Sequence, residues 1–412
     1  IAHNLRQAGH DVLEAEDGVQ ALEIVGGLTP DMIIADVSMP RMDGFELCRR
    51  VRDMDRFRAV PFLFLTARSD PTSLYKGIKL GASDFLKKPI ELNELMARIE
   101  GRLDASPPPP ESMEETIVSS ERKRPVATTV EPGFVVNGRF RIEQILGEGA
   151  IGRVYRATQL SIGRSVALKW MFASPEQLGA NGLERFKREA ALASRVVHPN
   201  VVPIHDFGIE TSTQTPFLVM GLAEGRTLRS HLKDGRMPRS RALSIAIQIA
   251  SALDAAHRAS IVHRDLKPEN VMLRDTDGEP EVTVLDFGVA RSVSGFEDAR
   301  LTRTGDIVGT PVTMSPEQVR GEAVGPASDL YALGCLLHEL LTGKRAFRAV
   351  SIIETLSLHL HGARPKLDSH GSFPATLVDL HRKLLAIDPL DRPASAAVVE
   401  AELRAVRDEL GD

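Results

Sequence analysis

Short apolar runs alternating with amphipathic stretches fill roughly the first hundred residues of the chain. Asp11–Ala15, Met32–Ala35, Phe62–Leu65 and Asp84–Leu86 have strand length and apolar character. Between and after them, Asp17–Val25, Asp43–Arg52, Thr72–Leu80 and Leu92–Leu103 carry Leu, Ile, Val and Met at helical spacing. Strand–helix alternation with apolar strands predicts a parallel sheet wrapped by helices. Further along, the pattern changes. Arg139–Ala173, rich in Val, Ile, Arg and Gly, reads as an antiparallel meander, and from Arg239 long helical periods dominate at Arg241–Arg258, Ser328–Leu341 and Pro374–Ile387. This predicts an α/β domain followed by an α+β bilobal one, with a small, mostly β lobe ahead of a larger, mostly α lobe.

Composition supplies the boundary. Ser106–Pro132 holds four consecutive prolines, Pro107 to Pro110, then acidic, hydroxyl-rich and basic patches with few large apolar residues. Such a stretch cannot offset its ordering entropy by burial, so it reads as a linker, and a bland spacer is preferred over a docking motif. The expected organisation is 1–104, a linker at 105–136, and 137–408 with lobes at about 137–221 and 222–408. A formal charge of −5 argues against a chain-wide basic surface for nucleic acid. Cys48 and Cys335 lie far apart in helix-like segments and suit a reducing compartment rather than a disulfide framework. No apolar run reaches bilayer-spanning length and no signal-peptide pattern opens the chain, so a soluble cytoplasmic protein is expected.

The second domain carries a phosphate-handling pattern. Gly147-Glu-Gly149-Ala-Ile-Gly152-Arg-Val154 forms a glycine-rich turn whose backbone N–H groups can close over phosphate oxygens. Val166-Ala167-Leu-Lys169 follows, a strand ending in a lysine able to reach phosphate. Glu189, twenty residues on, is preferred over Glu184 as the ion-pair partner of Lys169, because Phe186, Ala190 and Ala193 mark an inward face around it. In His263-Arg-Asp265-Leu-Lys267-Pro-Glu-Asn270, Asp265 can accept a hydroxyl proton, Lys267 can neutralise a transferring phosphoryl group, and Asn270 can bind Mg²⁺. Asp286-Phe-Gly288 follows an apolar strand 21 residues after Asp265 and supplies a second Mg²⁺ ligand.

GEGAIGRV, VALK, HRDLKPEN, DFG and Ser315-Pro-Glu317 stand in the order of the protein kinase family, which the chain resembles from about Phe140 to Arg404. The lysine after Asp265 and the Gly309-Thr310-Pro311 triplet resemble the serine/threonine branch. The resemblance implies ATP and Mg²⁺ as cofactors and Met220 as gatekeeper, with Gly221 to Ala223 as the adenine-binding hinge. It further implies Asp329 as support for the catalytic loop and Glu317–Arg392 as a buried ion pair. Related kinases usually have glutamate where Gly221 stands and an aromatic residue where Thr313 stands; the first change should leave a main-chain hinge intact, and the second bears on substrate preference. Arg264 invites a phosphate on the activation segment, where Thr304 and then Thr302 are the expected phosphosites.

The first domain resembles the receiver domain of response regulators. Asp36 ends an apolar strand, where chemistry gathers in such sheets, and is followed by Val-Ser-Met-Pro40 and Met42-Asp-Gly44. The resemblance implies Asp36 as phosphoacceptor, Thr66 and Lys88 as its support, and Phe85 as an aromatic switch. The chain starts at Ile1, inside what reads as the first helix, so a first strand and its Mg²⁺-binding acid pair are missing; truncation is the preferred explanation. The combined expectation is an ATP-dependent serine/threonine kinase with protein substrates and a receiver-like regulatory domain fed by a histidine kinase or other phosphodonor. A homodimer is left open, and the alternative is a pseudokinase scaffold.

Overall fold

The computed structural model describes residues 1–57, 60–66, 82–88, 130–149, 152–172, 175–287, 311–349, 352–367 and 373–411, with isolated positions between 77 and 99. The predicted linker for the most part, most of the segments expected to be helical at 72–80 and 92–103, and Thr302 and Thr304 lie outside the described residues. The chain divides into two units, essentially the receiver-like and kinase-like segments.

In the first unit α1 (Ala2–Gln7), α2 (Gly18–Gly27), β1 (Ile33–Asp36), α3 (Gly44–Arg52), β2 (Phe62–Thr66) and β3 (Asp84–Lys87) follow in order. The strands form a parallel sheet in the order β1-β2-β3, with Ala35 opposite Phe64 and Leu65 opposite Leu86. Every residue of β2 is buried, because its two faces are covered separately. Phe62 and Phe64 meet one another, and Phe64 packs on Phe45 of α3, while Leu63 and Leu65 join Leu5, Leu95 and Ile99. The carboxylates of Asp17 and Asp43 cap α2 and α3, accepting from Val19 N–H at 2.8 Å and Glu46 N–H at 2.7 Å.

Asp11–Ala15 does not form a strand, contrary to its pattern. An extended segment becomes a strand only against a hydrogen-bonding neighbour. Among the described residues β1 pairs with β2 alone, and nothing offers Asp11–Ala15 a ladder.

In the second unit β4 (Val135–Val136), β5 (Phe140–Glu148), β6 (Gly152–Gln159), β7 (Arg164–Met171), α4 (Pro175–Ala193), β8 (Ile204–Ile209) and β9 (Pro216–Gly221) come first. Their strands make one antiparallel sheet, ordered β4-β5-β6-β7-β9-β8, over a core containing Phe140, Tyr155, Trp170 and Phe217. Helix α4 begins earlier than its apolar spacing suggests, at Pro175, a residue suited to a first helical turn. The larger lobe follows: β10 (Arg226–Thr227), α5 (Leu228–Lys233), α6 (Arg239–Arg258), β11 (Val271–Arg274), β12 (Glu281–Val284), α7 (Pro316–Arg320), α8 (Pro326–Thr342), α9 (Ile352–His361), α10 (Ala375–Leu384) and α11 (Ala396–Leu410). Leu243, Leu253, Leu336, Leu380 and Leu403 from α6, α8, α10 and α11 share its core. No helix among the described residues is long and apolar enough to cross a membrane.

Candidate active site

The glycine-rich turn joins β5 to β6, closed by Gly149 N–H donating to Gly152 C=O at 2.9 Å. Gly152 is fixed by packing: a Cβ there would lie 2.3 Å from the Trp170 carbonyl oxygen on β7. Gly147 is different, since a Cβ on it would meet nothing within 4 Å. Its missing side chain answers no need of the protein's own packing, but it leaves the backbone open to a close-approaching anion. Val154 stands opposite Lys169 in the β6–β7 ladder and Ala167 opposite Met220 in the β7–β9 ladder. The cleft is therefore lined by ladder neighbours.

Lys169 is 6% exposed and gives its ammonium to Asp286 Oδ2 at 2.7 Å. Burial alone would raise the Asp286 carboxyl; the charge and hydrogen bond of Lys169, helped by His263 and Lys267, hold it below the ordinary carboxylate value. The expected Lys169–Glu189 ion pair is not made among the described residues. Phe186, Ala190 and Ala193 do form the buried face of α4, with Glu189 half-buried beside them, whereas Glu184 is 72% exposed and pairs with Lys187. The spacing correctly gives the inward face of the helix. It does not give the distance between α4 and β7, nor which of two carboxylates takes the one ammonium.

In the catalytic loop, Asn270 donates from Nδ2 to Asp265 C=O at 2.8 Å and Asp265 Oδ2 at 3.1 Å. Lys267 Nζ reaches the same Oδ2 at 2.8 Å. Asp265 Oδ1 has no partner among the described residues, and the side chain is 43% exposed, so one carboxylate oxygen is left able to accept. Because Nδ2 of Asn270 is turned to Asp265, its Oδ1 is left over as a ligand oxygen. Behind the loop, Asp329 is 1% exposed and accepts from the N–H groups of His263 and Arg264, each at 2.8 Å. His257 Nε2 lies 2.8 Å from the same carboxylate.

Asp286 holds φ 59°, an uncommon conformation for a residue other than glycine. Its chain neighbour Leu285 ties the two loops together: its N–H donates to Asn270 C=O at 2.8 Å, and its C=O receives His263 Nε2 at 2.8 Å. Phe287 packs on the His263 ring with centroids 4.8 Å apart. No cluster of three His, Cys, Asp or Glu capable of holding a metal occurs among the described residues. Asn270 and Asp286 fit the donor set of Mg²⁺ in a nucleotide site, where one or two protein oxygens act with phosphates and water. Met220 closes the rear of the cleft, where a cavity of about 20 Å³ is lined by Lys169, Ala193, Leu218, Met220, Asp286 and Phe287.

In the expected hinge, Gly221 N–H is given to Pro203 C=O at 2.8 Å, and Gly221 is the last β7–β9 ladder residue, opposite Val166. A Cβ on Gly221 would sit 3.0 Å from the Pro203 ring, which accounts for glycine at this place.

The family model for the protein kinase domain matches residues 140–403. The chain belongs to the protein kinase family. A second family model, the response regulator receiver domain, matches residues 1–100. Serine/threonine-protein kinase pkn3 of Myxococcus xanthus is 38% identical over 286 residues, covering 67% of this chain and 51% of that protein. Serine/threonine-protein kinase pkn2 of the same organism is 40% identical over 280 residues, 67% of this chain and 33% of the relative. Serine/threonine-protein kinase PrkC of Bacillus subtilis is 34% identical over 281 residues, 67% and 42%. The matched part thus spans about half or less of each relative. Among solved structures, the kinase domain of Mycobacterium tuberculosis PknI superposes with a TM-score of 0.53 at 25% identity, covering 69% of this chain and all of that one.

In the kinase large lobe, Arg392 grips Glu317 through two bonds of 2.7 and 2.8 Å, both side chains being almost fully buried. Thr313 is also buried. Gln318, which sequence reasoning passed over, donates to the Arg264 carbonyl at 2.8 Å. The visible clue is the Ser315-Pro-Glu-Gln318 spacing of a helix capping box.

In the receiver domain, Asp36 ends β1 and its Oδ2 accepts from Lys88 Nζ, while Oδ1 accepts from Ser38 N–H at 3.2 Å. Thr66 ends β2, buried, its carbonyl taking Lys88 N–H at 2.9 Å. Phe85 is buried against Phe64, ring centroids 4.8 Å apart.

Proposed function

We propose that the chain is an ATP-dependent protein serine/threonine kinase. The observation that supports this is the linked set of polar groups, Lys169 on Asp286, Asn270 and Lys267 on Asp265, with Leu285 N–H joining the two loops at Asn270 C=O. ATP bound there supplies the phosphoryl group, and Mg²⁺ neutralises its charge. Asp265 Oδ1 orients the substrate hydroxyl and accepts its proton, while Oδ2 is held by Asn270 and Lys267. Lys267 supplies positive charge beside the attacking oxygen, where negative charge develops. Asn270 Oδ1 and Asp286 would hold the metal, and the turn backbone at Gly147, where a Cβ would meet nothing within 4 Å, would lie over the phosphates. Lys169, which holds Asp286 at 2.7 Å, is the ammonium that would serve the α- and β-phosphates. Met220 and Ala223 border the base.

The same reading takes Thr304, then Thr302, as autophosphorylation sites, and Asp36, supported by Thr66 and Lys88, as a phosphoacceptor that biases kinase output. A scaffold without catalysis would tolerate loss of any catalytic group, yet Lys169, Asp265, Asn270 and Asp286 are all present. The decisive experiment is transfer from ATP to dephosphorylated casein. Asp265→Asn should reduce transfer by about a thousandfold or more, as expected where an acid–base group and its positioning are both lost. Equal activity in the two proteins would refute the assignment.

A further inference from the structure

The peptide group ahead of Asp265 stands at a strained point, since Arg264 has φ 64°. Side chains other than glycine hold that conformation only when their surroundings enforce it. Both polar ends of Arg264 are held. Its N–H donates to Asp329 Oδ1, and its carbonyl oxygen accepts from Gln318 Nε2, each at 2.8 Å. The next N–H, that of Asp265, leans on His263 Nδ1 at 3.3 Å. The His263 tautomer follows, because Nε2 must carry a proton to donate to Leu285 C=O, leaving Nδ1 to accept.

Gln318 is 4% exposed, and its orientation is settled by its other end. Oε1 accepts from Ser315 N–H at 3.0 Å and Ser315 Oγ at 3.2 Å. Reversing the amide would set a donor against donors and a carbonyl against a carbonyl. At the third helical position of a capping box, glutamate serves the N-cap as well as glutamine. What glutamine adds is a donating end, and here that end goes to the residue preceding Asp265. The base of the clamp is rigid: the neighbouring Glu317 is gripped by Arg392 and accepts from Ser328 Oγ at 2.6 Å.

We infer that Gln318 is a positioning residue for phosphoryl transfer, fixing the plane of the Arg264–Asp265 peptide and through it the carboxylate of Asp265. The inference rests on the reading of Asp265 as the proton acceptor. It assigns to the segment after Ser315 a task separate from the buried ion pair of Glu317.

Gln318→Glu separates cap from clamp, because glutamate keeps the acceptor for Ser315 and loses the donor to Arg264. In the full chain, with ATP and dephosphorylated casein, kcat should fall roughly ten- to a hundredfold, the usual consequence of misplacing a reacting group by about an ångström. KM for ATP should stay within about twofold, a split that a merely structural role would not produce, although the buried carboxylate set against the Arg264 carbonyl lowers the melting midpoint. Adding Gln318→Glu to Asp265→Asn should cost little more, since the two act as one unit. Unchanged kcat in Gln318→Glu overturns the inference while leaving the Asp265 assignment intact if Asp265→Asn is inactive. Activity in Asp265→Asn overturns the assignment itself. A lower melting midpoint with normal kcat per nucleotide-binding molecule also overturns the inference, as does failure of Gln318→Glu to fold when Gln318→Met folds with normal kcat.

Discussion

At the scale of single residues, the carboxylates differ in how fully their oxygens are engaged. Among the described residues only Oδ2 of Asp265 has partners, whereas Glu317 gives its whole carboxylate to Arg392 and Ser328. Burial alone would raise the Glu317 carboxyl, but the hydrogen bonds and charge of Arg392 hold it below its ordinary 4.5. That pair therefore stabilises the fold fully above about pH 4.5 and is lost as pH falls through the lower folded value. Arg392→Ala would leave the carboxylate buried and unpaired, a change that typically costs about 3–5 kcal/mol. The expected result is a strongly lowered urea midpoint at pH 7, and a midpoint unchanged within error would contradict the burial argument. The Glu317–Arg392 pair was legible from motif order, because both residues stand in recognisable segments. The Lys169 partner was not, because an ammonium between Glu189 and Asp286 is assigned by helix position, which local spacing does not encode.

At the scale of elements, α8 and α10 meet through polar groups as well as leucines. His338 Nδ1 and His381 Nε2 lie 3.2 Å apart with both rings buried, and His359 is buried against Tyr331. Burial pushes His381 down to about 3, with a smaller contribution from His338, and pushes His359 to about 3 as well. These rings are neutral in the fold, while the unfolded chain takes up protons near 6.5. Stability from their burial is therefore complete above pH 6.5 and declines as pH falls toward 3. Each histidine should contribute a slope of about 1.4 kcal/mol per pH unit between those limits. Urea unfolding followed by circular dichroism from pH 7 to 4 should show this decline, and His381→Gln should flatten it; an identical slope in both proteins would exclude the histidine as its source. Helix existence here was readable from apolar periodicity, as for Arg239–Arg258 and Pro326–Thr342. The histidine contacts were not, since two helices far apart in sequence have to pack before such a pair exists. Asp11–Ala15 shows the same limit from the other side, because its strand pattern had no ladder to join.

At the scale of the whole molecule, a receiver domain and a protein kinase domain share one chain, and the proposed coupling between them is testable without assuming any geometry. In the full chain, Asp36→Ala should abolish any change in casein phosphorylation produced by acetyl phosphate, while basal activity stays within about twofold, as expected when a switch rather than the catalytic site is altered. Acetyl phosphate changing activity equally in both proteins would remove Asp36 from the regulatory path.

What the sequence determined by itself was the order of the motifs and the family they belong to. Glycines in a hairpin, a strand lysine, Asp265 with Asn270 five residues on, and Asp286 beyond a strand are local patterns tied to turns and strand ends. Apolar runs alternating with amphipathic helices likewise pointed to the parallel sheet around Asp36, since a strand covered on both faces needs no polar side. Only the tertiary structure decided which ammonium meets which carboxylate, why glycine stands at 221 beside Pro203, and that Gln318 reaches the carbonyl before Asp265. The reason is physical. Those outcomes depend on distances between segments separated by tens of residues, set by the packing of whole elements, and no local propensity carries that information.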